Sequence, residues 1–425
     1  MKRWSVVFTA VFTALSLLLL TLLPACGGGG EETPAATPTP TATPSPTPTA
    51  TVAPTATAAP TATPTPTPGG PVKIGAIGPW SGPMAVSGML ADQIIGLVED
   101  QVKNMGGILG GREVKFVRGD DRGVVAESSA QAEKLILDDK VTMLTLGGIS
   151  AAGITATADV AEELKVPFVG FASIYGIAAR KYSACLYSHE TVIGRIASFL
   201  IDVVKPKTVA YLAYDVEDAH QVINGVEGVA GIRDRLTAQG IDIVYEQYFP
   251  QDTMDFSSYL TKIKYVNPDI LVAELNNMGQ AITINKQITE LGGWGSIKYF
   301  SATEASAAKA AIAMPSALGT YVSALYLPGS DEAGMKTFED AFTNKYSRAP
   351  TPDVTYYYND FWTAIKAIEL AGTDDPVKVA EALRSGNLVW DSAWGPLRIG
   401  TNGIGDVKGV VTQVQEGGKL VKVWP

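Results

Sequence analysis

Apolar runs that read as strands alternate with helical patterns along most of this chain, and the alternation predicts an α/β protein with parallel sheets. The runs are continuous rather than alternating, which suits strands covered on both faces. About nine of them lie between Val72 and Leu325, a large number for one sheet and a natural one for two lobes. In order, the strands are read at Val72–Ile77, Val114–Gly119, Met143–Leu146, Phe168–Phe171, Thr208–Ala213, Asp242–Gln247, Ile270–Ala273, Tyr299–Ser301 and Tyr321–Leu325. Between them, apolar residues recur at helical spacing over Ala91–Met105, Ala126–Leu137, Ile154–Leu164, Ile193–Val204, Ile223–Gln239, Phe256–Tyr265 and Gln280–Leu291. Three further helices, Gly334–Tyr346, Thr355–Ala371 and Val377–Ser385, follow the last strand. Short runs at Leu397–Ile399, Val410–Val414 and Leu420–Val423, separated by Gly-rich turns, read as strands that finish one lobe.

The first 70 residues do not fit this pattern. Lys2 and Arg3 precede an apolar stretch from Val6 to Leu20, and Leu23-Pro24-Ala25-Cys26 ends it with small residues before a cysteine, the layout of an export signal over 1–26. The segment 27–70 is a Thr/Pro/Ala tether holding eleven of the 26 prolines. Proline fixes φ and favours an extended, polyproline-like chain, which at ~3.1 Å per residue reaches on the order of 100 Å.

Composition removes several function classes. Against 43 Asp and Glu stand 33 Lys and Arg, a net charge of −10, so the basic footprint of a nucleic-acid binder is absent. Two His and two Cys cannot build a multi-His or Cys-rich metal centre, so no metal and no cofactor are expected. The spacing around Asp215–His220 fits neither a calcium loop nor a two-His zinc motif, which leaves His220 as a loop or pocket hydrogen-bonder. No Gly-x-Ser-x-Gly elbow occurs, and no catalytic residue is assigned. Gly106–Gly111 lacks the Lys-Ser/Thr of a phosphate loop and reads as a helix-ending turn.

In open α/β sheets ligands bind beyond the carboxyl ends of the strands. The loops singled out by that rule are Gly78–Gly88, Gly147–Ala152, Ala172–Tyr175, Tyr214–His220, Leu275–Gln280 and Ala302–Ala305. Trp80 in the first of them is read either as a cap on an apolar part of a ligand or as a lid packed on its own lobe.

Val72-Lys73-Ile74-Gly75, Gly78-Pro79-Trp80-Ser81-Gly82-Pro83, Gly106–Gly111 and Asp120-Asp121 stand in an order and spacing that resemble bacterial periplasmic proteins of the leucine/isoleucine/valine-binding type. Ala132–Ile136, Asp255-Phe256-Ser257, Pro268-Asp269 and Gly395-Pro396-Leu397 extend the resemblance over Val72 to Pro425. It implies a type I binding-protein fold, two Rossmann-like lobes joined by three crossovers and closing on a small molecule that is passed to an ABC permease. The lobes are expected at 71–190 plus 304–392 and at 191–303 plus 393–425, with crossovers at Leu186–Val192 and near Thr303. Cys26 resembles the lipid-bearing cysteine of a lipoprotein, which implies a monomer held at the extracytoplasmic membrane face. A ligand-sensing receptor with the same fold is the alternative.

Carried over position by position, the resemblance puts the ligand carboxylate at Ser150-Ala151 and a further carbonyl and hydroxyl at Ala172 and Ser173-Ile174, with Ala151 and Ile174 standing where the family has hydroxyls and Ser150 and Ser173 beside them. Ser87 stands where the family has a tyrosine. Asn277 stands where the family places the carboxylate that pairs with a ligand ammonium, and an amide cannot neutralise that charge. Glu274 or Glu304, near strand ends, could restore it.

Overall fold

The computed structural model describes residues 69–424 except 149, 227, 276, 304–311, 331 and 408. The export signal, Cys26, the tether and Glu304 lie outside the described residues.

The first sheet is parallel throughout, in the order β2-β1-β3-β4-β5. Its strands are β1 (Val72–Gly78), β2 (Val114–Asp120), β3 (Met143–Thr145), β4 (Phe168–Gly170) and β5 (Ser183–Cys185), with α1 (Ala85–Asn104), α2 (Val125–Leu137) and α3 (Ala151–Leu164) between them. Two apolar clusters cover its faces, one built on Ile94, Val98 and Phe116, the other on Leu135, Leu144 and Phe168. The continuous apolar strands are thus explained by burial on both sides.

The chain then passes to a second sheet. It is led in by α4 (His189–Phe199), whose last turn widens into a π-helical segment at Leu200–Val204. There follow β6 (Thr208–Tyr214), α5 (Glu217–Asn224), a small hairpin β7 (Gly225–Val226) and β8 (Val229–Ala230), and α6 (Ile232–Thr237). Next come β9 (Asp242–Phe249), α7 (Ser257–Val266), β10 (Ile270–Glu274), α8 (Met278–Glu290), β11 (Lys298–Ser301) and β12 (Tyr321–Ala324). The helix expected over Ile223–Gln239 is broken by that hairpin. Gly225 adopts φ 90°, and a Cβ on Gly231 would lie 2.4 Å from the Ile223 carbonyl oxygen, so the glycines let the backbone fold tightly back.

The second passage differs from expectation. β12 pairs in parallel with β11, so Tyr321–Ala324 belong to the second sheet and the passage back to the first lobe follows Ala324 rather than Thr303. The assignment of 304–392 to the first lobe is corrected accordingly. Leu325 and Tyr326 join the first core, followed by α9 (Ala333–Tyr346), α10 (Pro352–Ala371) and α11 (Pro376–Leu383). The assignment of 393–425 to the second lobe is corrected too. The hairpin of β13 (Val389–Ser392) and β14 (Gly395–Arg398) buries Leu397 and Ile399 in the first core, and only β15 (Val410–Gln415) and β16 (Lys419–Trp424) return to the second sheet. That sheet runs β16-β15-β12-β11-β10-β6-β9, antiparallel only where β15 and β16 close its edge.

Three passages therefore join the lobes, and two of them are bonded together. Cys185 donates to Gly403 and accepts from Gly405, both at 2.8 Å. A Cβ on Gly405 would sit 2.1 Å from the Leu186 carbonyl oxygen, so only glycine allows this approach. The Cys185 thiol is fully buried, and burial pushes its pKa up to about 12, which leaves it inert.

Candidate functional site

The strand-end loops of the two lobes meet where Tyr175, after β4, donates from its hydroxyl to Gln221 of α5 at 3.0 Å. The Tyr175 ring also lies parallel to that of His189, which bonds to Asp218 of α5 at 2.8 Å. The cleft bounded by these loops is the candidate ligand site.

In the first lobe the loops are held by buried polar groups. Leu146, Gly147 and Gly148 all take positive φ, a sharp turn that carries the chain from β3 to α3. Asp360 of α10 fixes it by accepting the Leu146 amide at 2.6 Å. Asp360 is fully buried with no cation beside it, and burial pushes its pKa well above the usual carboxylate range. Gly147 packs against Phe168, and Gly148 lies against Asp121, whose carboxyl takes bonds from Gly123 and Ser128. The turn delivers Ser150 as the N-cap of α3, where its hydroxyl accepts the Gly153 amide at 3.1 Å. Ser150 is exposed and Ala151 half-buried, and the amides of Ala151 and Ala152 begin the helix without an intrahelical partner. A helix start of this kind favours a carboxylate.

Trp80 is tied to its own lobe. Its indole N–H donates to Asp92 of α1 at 2.8 Å, and its ring covers Gly78. Ser87 is half-buried and hydrogen-bonded to Tyr357, whose phenol burial pushes up to about 12. Ala172 is half-buried and Ser173 buried in the loop that presents Tyr175. Beside them Phe171 meets Tyr356 and Tyr357 edge-on, and Tyr187 and Trp394 complete an aromatic wall. Tyr358, the third of that run, is core.

The second lobe presents a different surface. Asn277 is exposed and serves as the N-cap of α8, accepting the Gln280 amide at 3.0 Å. Its side chain is therefore engaged in holding a helix start. His220 bonds Asp215 at 2.8 Å and stacks on Tyr248 of β9 at 3.8 Å, both within its own lobe. Glu274, the last residue of β10, is 6% exposed. It accepts the Tyr211 hydroxyl at 2.5 Å, and Tyr211 also reaches the Ala219 carbonyl of α5. Desolvation, opposed by that hydrogen bond and reinforced by Asp218, pushes its pKa up to about 8.

The structure thus brings Ser150, Ala151, Ala172 and Ser173 to the strand ends of one lobe and Asn277 to those of the other. Asp360, Tyr175 and Gln221 were not foreseen. A charged residue inside the apolar run Tyr356–Trp362 was the available signal for Asp360. A recess of about 400 Å³ lies elsewhere, beside the crossovers, lined by Glu190, Arg195, Asp406 and Trp424. Arg195 donates there to Ser323 at 2.8 Å and braces the junction rather than the cleft. Among the described residues no group of three or more His, Cys, Asp or Glu is placed to hold a metal.

Residues 71–419 match the periplasmic binding protein family, and the chain belongs to it. That family binds solutes and is not catalytic. A Leu/Ile/Val-binding protein homolog of Brucella abortus is 21% identical over 293 residues, covering 66% of this chain and 72% of that one. The fold is shared with a leucine binding protein, LivK, of Thermotoga maritima, at 23% identity and TM-score 0.68 over 83% of this chain and 97% of that one. It is equally shared with a solute binding protein of an ABC transporter from Rhodopseudomonas palustris in complex with 3,4-dihydroxybenzoic acid, at 22% identity and TM-score 0.69 over 83% and 96%. The architecture is that of the type I binding proteins.

Proposed function

We propose that the protein is an extracytoplasmic solute-binding lipoprotein that captures a small polar organic molecule between its lobes and delivers it to an ABC permease. The observation that carries this reading is the meeting of strand-end loops from both lobes beside a junction of three passages, a geometry in which ligand contacts from both sides stabilise a closed state. Ser150, Ala151, Ala172 and Ser173 hold one end of the ligand and Ser87 borders it. Asn277 acts on the site by shaping the start of α8, and Trp80 and His220 border the cleft. The ligand is a branched-chain amino acid or a related amide or carboxylate. Cys26 carries the lipid, the tether gives the domain reach, and the protein works as a monomer.

A thermal-shift screen against branched and polar amino acids, amides, short peptides and aromatic acids, followed by calorimetry, tests the reading. A saturable stabilisation by one of these solutes is the expected result, since a ligand that binds only the native state raises its melting temperature. No shift with any of them counts against solute capture. Replacing Cys26 by alanine should release the protein from the membrane fraction.

A further inference from the structure

The recess of about 400 Å³ beside the crossovers lies outside the ligand cleft, and its walls come from the parts of the chain that join the lobes. Thr191, Gly194, Arg195 and Ser198 stand on one face of α4, the helix into which the first passage leads, and form one wall. Asp406 and Val407 of the third passage form another, and Trp424 of β16 closes a side. The second passage is tied in through Arg195. This side chain is buried and donates from Nε to Ser323 Oγ at 2.8 Å, just before the chain leaves β12. Gly409 makes room for it, since a Cβ there would lie 2.2 Å from its Nη1. All three passages thus touch the recess or the arginine in its wall, and its shape depends on how the lobes stand to each other.

Gly194 lies in the interior of α4, where glycine favours the helix less than alanine does. Nothing in the packing demands it. A Cβ there would have the Glu190 carboxylate at 3.4 Å and the Arg235 guanidinium at 3.6 Å as its nearest neighbours, both ordinary contacts. The helix therefore forgoes stability at this position and gains open space in the recess. The charges around that space are unequal. Glu190 is neutralised by Arg235, and Arg195 is turned to Ser323. Asp406 is exposed, and its carboxylate is in no ion pair among the described residues. A carboxylate beside an indole and an aliphatic wall, in a chain of net charge −10, suits a cation with an apolar body.

We propose that the recess is a second binding site, for a small organic cation with an apolar body, and that its occupant favours the lobe arrangement in which Tyr175 meets Gln221. The recess has its present shape in that arrangement, so a molecule that fits it binds that arrangement better than others. By linkage the same molecule tightens capture of the solute. This coupling rests on the solute-binding reading, whereas occupation of the recess does not.

The test uses the full-length protein, with tryptamine and phenethylamine as probes and indole-3-propionate as an anion of similar size. Calorimetry reads affinity, and energy transfer between dyes on the two lobes reads their arrangement. The amines are expected to bind saturably, about tenfold or more tighter than the anion, and to lose about tenfold in Asp406→Asn. Ser198→Trp, which fills the recess, should abolish their binding. Gly194→Ala should raise the melting temperature while weakening the amines several-fold, which separates loss of the site from loss of the fold. At saturating amine, energy transfer should shift toward the joined arrangement, and the solute found by the screen above should bind about fivefold tighter. Failure of both amines to bind, or binding that Asp406→Asn and Gly194→Ala leave unchanged, overturns the site. Binding that these variants weaken but that leaves energy transfer unmoved overturns the coupling to the lobes. If no solute binds in the screen while the amines bind and shift energy transfer, solute capture is overturned and the recess site stands.

Discussion

Both lobes bury a carboxylic acid beside the cleft, and the two acids do different things. In the first lobe Asp360 lies beneath the loops and accepts the Leu146 amide, so its chemistry is directed at the protein's own backbone. In the second lobe Glu274 stands at a strand end, where its carboxyl accepts the Tyr211 hydroxyl beside Tyr214, Tyr248 and Asp218. Around Leu146–Gly153 and Phe171–Gly176 the first lobe offers amides and hydroxyls, and the second lobe buries a carboxyl whose pKa burial pushes up to about 8. The contrast teaches that burial alone does not identify a binding group. What separates the two is whether the fold already provides a backbone partner that fixes a loop.

The largest effect that would sharpen this comparison is in stability against pH. The Glu274 carboxyl titrates near 4.5 when unfolded and near 8 when folded, so the native state holds the extra proton between those values. Its contribution is full below about pH 4.5 and is lost as pH rises through about 8, a difference on the order of 4 kcal/mol between pH 5 and pH 9. Urea denaturation should show this fall in the wild type and a flatter profile in Glu274→Gln. Equal profiles would mean that burial does not hold the Glu274 proton in the folded state.

Next in size, Asp360→Ala should cost about 3 kcal/mol, because it leaves the buried Leu146 amide unpaired and opens a cavity. Asp360→Asn keeps an acceptor of the same shape and should cost less than about 1 kcal/mol. If the alanine variant proved as mild as the asparagine one, Asp360 would not be what holds the β3–α3 turn. Ser150→Ala should lower stability by about 1 kcal/mol through loss of the α3 cap, again by urea denaturation. The smallest effect is expected for Tyr175→Phe, which removes the bond between the lobes. A neutral hydrogen bond of this kind contributes about 0.5–1.5 kcal/mol net, enough to shift an open–closed equilibrium several-fold. Energy transfer between dyes on the two lobes would detect the shift, and an unchanged distance distribution would show that Gln221 does not fasten them.

Much of this architecture was legible in the sequence, because buried parallel strands and amphipathic helices leave strong local patterns. Val72–Gly78, Thr208–Tyr214 and Ile270–Glu274 all lie within a residue of their expected ends. The failures have a common cause in information that is not local. Tyr321–Ala324 reads as a strand, yet nothing in those four residues says which sheet it joins, and so the second passage was placed too early. The three residues of β5 are too few to show a period, and the apolar spacing over Ile223–Gln239 continues across glycines that turn the chain. In the site, Ser150 and Asn277 were singled out by the resemblance, position by position; that each caps a helix start is what the structure adds. The roles of Asp360 and Tyr175 depend on partners 214 and 46 residues away, and no local pattern carries those distances.

The bonds that stitch Cys185 to Gly403 and Gly405 also have a mechanical meaning. Three straps cross between the lobes, but two of them are laced into a single ribbon, so the lobes are connected at two places. Two attachments define a line. Swinging about that line strains neither attachment, whereas sliding or twisting across it must tear the lacing, and with no side chain at Gly405 there is nothing to prise the ribbon apart. The junction is built as a door hinge with one permitted axis.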